Sequence, residues 1–442
     1  MSRAGCEQRL LSHPGTDRMR ELSVNAFQYR QGELNCEQVP LRRLADEFGT
    51  PLYVYSHSHI EERYGQLDRA FGSLDHLICF ATKANGNLAV LRAVANAGAG
   101  FDIVSGGELF RVVRAGGDPR KCVFSSVGKT RDEIEYALKL GIYCFNVESE
   151  PELRAIAEVA RRRRQRAPIA VRVNPGVDPH THHYISTGKH ESKFGIPIGR
   201  ALEVYREACR FPSLEIRGVQ MHIGSQITST TPFLQAIKKI LPLIEKVRAL
   251  APTTLQFFDI GGGLGIRYRN ERPPTAAEFA AAVKPHLQKL GLRILLEPGR
   301  FIVGNAGVLL TRVIYIKRTA VKRFVITDAA MNDLIRPVWY GSYHDIVPAV
   351  ASRRKLMTAD IVGAVCESGD FFAQGRRIPE VRAGELLAIM SAGAYGMTMA
   401  SNYNARPRPA EVMVRGRRFD LVRRRESMKD LASGEVVAQW SA

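Results

Sequence analysis

LICFATKANGNLAVLRAVANAGAGFDIV, residues 77–104, contains the repeating unit of the chain. It opens on a short apolar run at 77–81, passes through a segment at 89–97 with apolar residues three and four apart, and closes on a second apolar run at 101–104. Apolar runs on either side of an amphipathic segment are what two parallel strands and their crossover helix leave in a sequence. Working outward, the alternation extends from about residue 50 to 300. Its apolar runs fall at 77–81, 101–104, 122–125, 143–147, 169–173, 216–221, 256–260 and 293–296. Eight strands alternating with helices over about 250 residues match a closed, TIM-like (β/α)8 barrel. A doubly wound open sheet has the same periodicity, so closure is not contained in the pattern.

Segment 233–250 is also amphipathic, and Pro242 within it predicts a kinked or restarted helix. The stretch 174–196, rich in His, Gly and Pro, reads as a functional loop over the barrel mouth. After residue 300 the texture changes to alternating β-branched segments: VLLTRVIYIK, FVITDAAM, LMTADIVGAV, ELLAIMSAG and AEVMVRGRRFDLV. These predict a mostly antiparallel β-domain. The expected division is an N-terminal segment at 1–48 contributing to the β-domain, a barrel at 49–301 and the β-domain at 302–442, with 51–55 able to add a strand to the last.

The chain has 442 residues, 45% hydrophobic and 24% charged, which is ordinary globular composition at a length that calls for two domains. Its seven cysteines form no CxxC pair and no Cys/His zinc spacing, which points to neither a disulfide framework nor a metal site and fits a reducing, cytoplasmic setting. The longest apolar candidate for a membrane span, 307–316, is short and contains Arg312. The N-terminus has no signal-peptide hydrophobic region, and the first two dozen residues are expected to be loosely ordered. A net charge of +19, richest at 161–166 and 415–425, raises the question of nucleic acid. No helix-turn-helix, RNP or zinc-finger pattern accompanies these runs, which read as solvated faces. Neither a nucleic-acid nor a membrane partner is expected.

In a barrel the catalytic groups sit at the C-terminal ends of strands. The residues just past each apolar run are therefore the first test of function. Lys83 comes after the first run, His222 after the sixth, Gly261, Gly262 and Gly263 after the seventh, and Glu297 after the eighth. A lysine in an apolar setting is expected to have a lowered pKa, which frees its amine for a carbonyl. Three glycines in a turn can offer backbone N–H groups to a phosphate, with the Ser225 hydroxyl as a further donor. A carboxylate against a pyridine nitrogen keeps that nitrogen protonated and makes the ring an electron sink. Each residue alone has a plainer reading: a lysine reaching solvent, a common glycine turn, a glutamate paired with an arginine, a satisfied interior histidine. Together they point to pyridoxal 5'-phosphate anchored on Lys83.

The motifs ATKANGNLAVLR, YISTGKHESKFGI, GVQMHIGSQI, DIGGGLGI, LLEPGRFIVGNAGVLLTRV, DAAMNDLIRPVWYGSYHDI, VCESGDFF and GAYGMTMASNYNARPRPAEV occur in this order between about residues 28 and 422. On them the chain resembles the group IV, fold-type III pyridoxal-phosphate decarboxylases, whose fold is alanine racemase-like. The resemblance implies that Lys83 holds the cofactor covalently, His222 stacks on its ring and Glu297 meets the pyridine nitrogen, with Pro298, Gly299 and Arg300 alongside. It implies Ser225, Gly261, Gly262, Gly263 and Tyr395 on the phosphate side, and Arg300, Arg336, Tyr340, Glu367 and Tyr395 around the substrate. Cys366 and Glu367 are implied to reach across a homodimer, and Cys366 or Lys83 to return a proton to Cα.

Relatives acting on ornithine carry an aspartate in the CESGD motif and lack the arginine of NDLIRP. These differences favour meso-2,6-diaminopimelate, with L-lysine and CO2 as products, in the last step of lysine biosynthesis. Ornithine, arginine and carboxynorspermidine are the alternative substrates. A non-catalytic role is disfavoured by the presence of Lys83, Cys366 and Glu367, and a racemase role by Glu297.

Overall fold

The structure, a computed structural model, describes residues 26–178 and 193–441. The predicted strands form a closed parallel barrel, so the open-sheet alternative falls. They are β1 (His76–Ala81), β2 (Gly100–Ile103), β3 (Cys122–Phe124), β4 (Cys144–Val147), β5 (Ala167–Asn174), β6 (Leu214–Met221), β7 (Phe257–Asp259) and β8 (Arg293–Leu296). Each pairs in parallel with its successor, and β8 closes on β1 with Ile294 opposite His76. The strands read as mainly apolar runs because a barrel strand is covered on both faces, by the interior and by the helices. Phe80, Phe101, Phe124, Phe145 and Phe258 are fully buried, and the rings of Phe124 and Phe145 stack 6.1 Å apart. Truncating one such ring to alanine costs about 3–5 kcal/mol.

The helices start where the sequence supplies caps. Ser56 accepts from the His59 amide at the head of His57–Phe71, and Asn87 accepts from the Ala89 amide at the head of Leu88–Asn96. Thr130 with Glu133, and Thr275 with Glu278, make reciprocal capping boxes. The helix Thr231–Leu250 continues through Pro242 and does not restart there. Packing of Ile237, Ile240, Ile244 and Val247 against the core outweighs the hydrogen bond that the proline removes.

The second sheet runs in the order Phe371–Pro379, Leu356–Val362, Arg323–Thr327, Gly307–Arg318, Leu52–Ser56, Ala410–Arg415, Arg418–Arg423. Most pairs are antiparallel; Arg323–Thr327 with Leu356–Val362 and Leu52–Ser56 with Ala410–Arg415 are parallel. Leu52–Ser56 thus lies in the second sheet, and the helical layer of the barrel begins with His57–Phe71. Two contacts fasten this sheet's loops to the turn that carries Lys83: Asn85 Nδ2 donates to Gly393 O at 3.0 Å, and Tyr395 N donates to Ala84 O at 2.8 Å. Most of the predicted mouth loop, 179–192, lies outside the described residues, as do the first 25 residues and Ala442. Among the described residues no helix is long and apolar enough to cross a membrane, and no group of three or more His, Cys, Asp or Glu side chains could hold a metal ion.

Candidate active site

A cavity of about 250 Å³ opens at the C-terminal ends of the strands. Of the predicted residues, Lys83, His222, Ser225, Gly263, Glu297, Gly299, Arg300, Arg336, Tyr340 and Tyr395 line it, joined by Phe194. Gly261, Gly262 and Pro298 lie in the supporting turns, where Pro298 O accepts from the Ala81 amide. Cys366 and Glu367 are not brought into the cavity by this chain. They are exposed in the loop between Leu356–Val362 and Phe371–Pro379, with Cys366 N donating to Asn404 Oδ1 at 2.7 Å.

Lys83 sits in the single turn Thr82–Ala84 after β1. Ala81 pairs in register with Asp102 on β2, which sets the Lys83 ammonium against the fully buried Asp102 carboxylate. Burial alone lowers a lysine pKa, but the charge of Asp102, followed by Tyr395 and Glu297, overrides it and pushes the pKa up. The expectation of a lowered pKa is therefore corrected. The sequence shows the apolar strand but not the acid one strand across.

The glycine turn has no room for side chains. Gly261 and Gly263 have φ of +73° and +104°, and a Cβ on them would fall 2.3 Å from Met221 O and from Gly224 O. A Cβ on Gly262 would fall 2.1 Å from Glu297 O. The turn is held against the end of β6 by Ile227 N donating to Gly263 O at 2.9 Å. The result is a concave backbone beside the Ser225 hydroxyl, which suits an anion.

Glu297 is 3% exposed, and its carboxyl accepts from Gln220 Nε2 at 3.2 Å and Asn146 Nδ2 at 3.4 Å. Burial, then the neighbouring Asp259 carboxylate, push its pKa well above the usual range, while Asp259 itself is pushed to about 7 by burial. Two adjacent buried carboxyls cannot both ionise, so this pair holds a proton. A cation placed against Glu297 would shift that balance toward the carboxylate. His222 is kept neutral by burial and then by the charges of Arg172 and Lys83, which suits a ring that stacks.

The far wall is cationic. Arg300 and Arg336 are each 5% exposed, and Arg300 donates to Tyr268 Oη at 2.6 Å and to Ser225 Oγ at 3.1 Å. Its Nε, like Asp102 Oδ1, is buried with no hydrogen-bond partner. Arg172 pairs with Glu148 at 2.9 Å, and Glu148 also accepts from the Gly195 amide at 3.1 Å. Arg172 further stacks on Phe194 at 4.8 Å, so this pair fixes the end of the mouth loop where Phe194 enters the cavity wall. Asp102, Arg172, Tyr268 and His344 were not picked out from sequence. A lone acid in a buried strand, as in GFDIV, was the available signal for Asp102.

An amine, an anion cradle, a proton-holding carboxyl and unpaired polar atoms around one cavity fit pyridoxal phosphate, and on this barrel they define a fold-type III pyridoxal-phosphate enzyme. The chain belongs to the pyridoxal-dependent decarboxylases: residues 57–304 match the family described as "Pyridoxal-dependent decarboxylase, pyridoxal binding domain". It is 51% identical over 415 residues to a diaminopimelate decarboxylase of Pseudomonas aeruginosa, covering 93% of this chain and 99% of that protein. It is 50% identical over 416 residues to one of Vibrio cholerae, covering 94% and 99%. The crystal structure of diaminopimelate decarboxylase from Helicobacter pylori complexed with L-lysine superposes with a TM-score of 0.86 at 41% identity, over 89% of this chain and 98% of that one.

Proposed function

We propose that this chain converts meso-2,6-diaminopimelate to L-lysine and CO2, as a homodimer with shared active sites, in the cytoplasm. The observation that carries the reading is the pair of buried arginines, Arg300 and Arg336, in the same cavity as Lys83 and Glu297. A monocarboxylic diamine precursor needs no second guanidinium. A dicarboxylic diamino acid has an anion for it after the reacting carboxylate has been placed.

Bound pyridoxal phosphate supplies the electron sink for loss of an α-carboxylate. The residue roles that the family resemblance implies are compatible with their positions in the cavity. Lys83 would be the amine that holds the cofactor, and Asp102 would pair with its ammonium whenever the amine is free. Glu297 holds a proton at the ring nitrogen, with Gln220 and Asn146 fixing its carboxyl. The glycine turn, Ser225 and Tyr395 would hold the phosphate, and His222 would pack against the ring. Arg336 and Tyr340 orient the distal end of the substrate. Lys83, or Cys366 from a second copy, returns the proton to Cα.

Cys366 and Glu367 are exposed and do not line the Lys83 cavity of their own chain, which leaves them free to meet a second copy. The six described cysteines are all free thiols, consistent with a reducing compartment. The substrate is tested by offering the holoenzyme equimolar meso-diaminopimelate, ornithine and arginine and tracking each by mass spectrometry. Selective disappearance of diaminopimelate is expected, and preferential loss of ornithine or arginine overturns the assignment.

A further inference from the structure

Arg336 is held differently from Arg300. It donates from Nη2 to Ser342 Oγ at 3.1 Å and from Nε to His344 Nε2 at 3.4 Å. His344 is fully buried, and its Nδ1 lies 2.8 Å from Met390 O. A carbonyl only accepts, so Nδ1 carries the hydrogen and Nε2 presents its lone pair. That is the tautomer a guanidinium donor requires. Tyr268 contacts both arginines, its ring centroid 5.3 Å from Arg336 Cζ and 5.8 Å from Arg300 Cζ. The His344 ring meets Tyr268 edge-on at 5.3 Å and 77°.

We propose that His344 is a positioning residue which, braced by Tyr268, orients Arg336 for the distal carboxylate of the substrate and so sets specificity. Ser342 and His344 occupy the Nε–Nη2 edge of the guanidinium, so the Nη1–Nη2 fork is the part left to grip a carboxylate end-on. Two cations in one cavity repel, and contact of both with the Tyr268 ring offsets part of that repulsion. Burial, followed by the charge of Arg336 and with Arg300 and Arg376 also nearby, holds the His344 pKa down to about 3. The acceptor lone pair is therefore kept through the whole working pH range. The proposal rests on the reading that Arg336 meets a substrate carboxylate.

The test uses the holoenzyme and pimelate, the seven-carbon dicarboxylate without amines, with binding measured by calorimetry. His344→Asn keeps a donor near Met390 O but falls short of Arg336. His344→Gln places an acceptor near the original Nε2. Pimelate affinity is expected to fall about tenfold in H344N and to stay within about threefold of wild type in H344Q. In an Arg336→Met background, H344N should cost nothing further, because the residue acts through Arg336. Equal losses in H344N and H344Q, or an H344N loss that persists without Arg336, overturn the proposal. A wild-type enzyme that does not bind pimelate overturns it together with the carboxylate role of Arg336. Pimelate binding without turnover of diaminopimelate rejects the substrate and leaves the His344 result standing.

Discussion

Asp102→Asn removes the anion that keeps Lys83 charged, and the change in Lys83 should show in how fast the pocket captures its cofactor. With its pKa pushed above the ordinary lysine value near 10.5, fewer than about one Lys83 in 300 is neutral at pH 8. An opposite charge in contact raises a lysine pKa by roughly 1–3 units. Without it, burial becomes the dominant influence and acts downward, so the neutral fraction at pH 8 rises about 10- to 1000-fold. Capture of the pyridoxal aldehyde by apoenzyme requires the neutral amine. In stopped-flow absorbance between pH 7 and 9.5, the wild-type capture rate should rise about tenfold per pH unit with no plateau. D102N should be faster across the whole range, by about 10- to 1000-fold, while keeping a rising slope. A variant as slow as wild type at every pH, with the same slope, would refute the claim that Asp102 sets the protonation of Lys83.

Gly262→Ala pushes a methyl group to 2.1 Å from Glu297 O, backbone against backbone, so the turn must move by about 1 Å. Its affinity for pyridoxal phosphate, titrated by fluorescence, should drop at least about tenfold, and an unchanged affinity would remove the glycine turn from the phosphate site. Mixing inactive Lys83→Ala and Glu367→Gln dimers under exchange should restore about a quarter of wild-type decarboxylation, whereas no recovery argues that each site is built from one chain. His344 also makes an acid-stability prediction. Its folded pKa of about 3 lies below the unfolded value, so its contribution is complete above pH 6.5 and is lost as the pH falls toward 3. Urea unfolding of wild type between pH 6.5 and 5 should lose about 1.1 kcal/mol per pH unit from this residue, approaching about 1.4 at the acid end. H344Q should show a correspondingly shallower slope, and identical slopes would count against a buried neutral imidazole.

The barrel was legible because its strands are buried on both faces. β5 is buried from Ala167 to Asn174 without interruption, and its mainly apolar run at 167–173 marks a strand within a residue or two. Residues just past such runs lie at the mouth by construction, which is how Lys83, His222 and Glu297 could be picked out before their neighbours were known. What depends on pairing was not legible. The charge state of Lys83 turns on Asp102, whose strand lies next to that of Lys83, and sequence distance carries no such information. Tyr268 and His344 stand in polar loops, GIRYRN and YGSYHDI, whose composition does not separate a buried brace from a solvated turn. Leu52–Ser56 pairs with strands more than 200 residues away, so its place in the second sheet is a matter of topology rather than local pattern.

The central claim is that the Lys83 pocket decarboxylates a dicarboxylic diamino acid. The measurement that bears on it most directly is CO2 release from purified protein supplied with pyridoxal phosphate and meso-diaminopimelate, with the amino-acid product identified by chiral chromatography and mass spectrometry. The account predicts CO2 and L-lysine in equal amounts, and neither from Lys83→Ala. Absence of lysine from the cofactor-loaded wild-type enzyme, or its undiminished formation by the Lys83 variant, would contradict it.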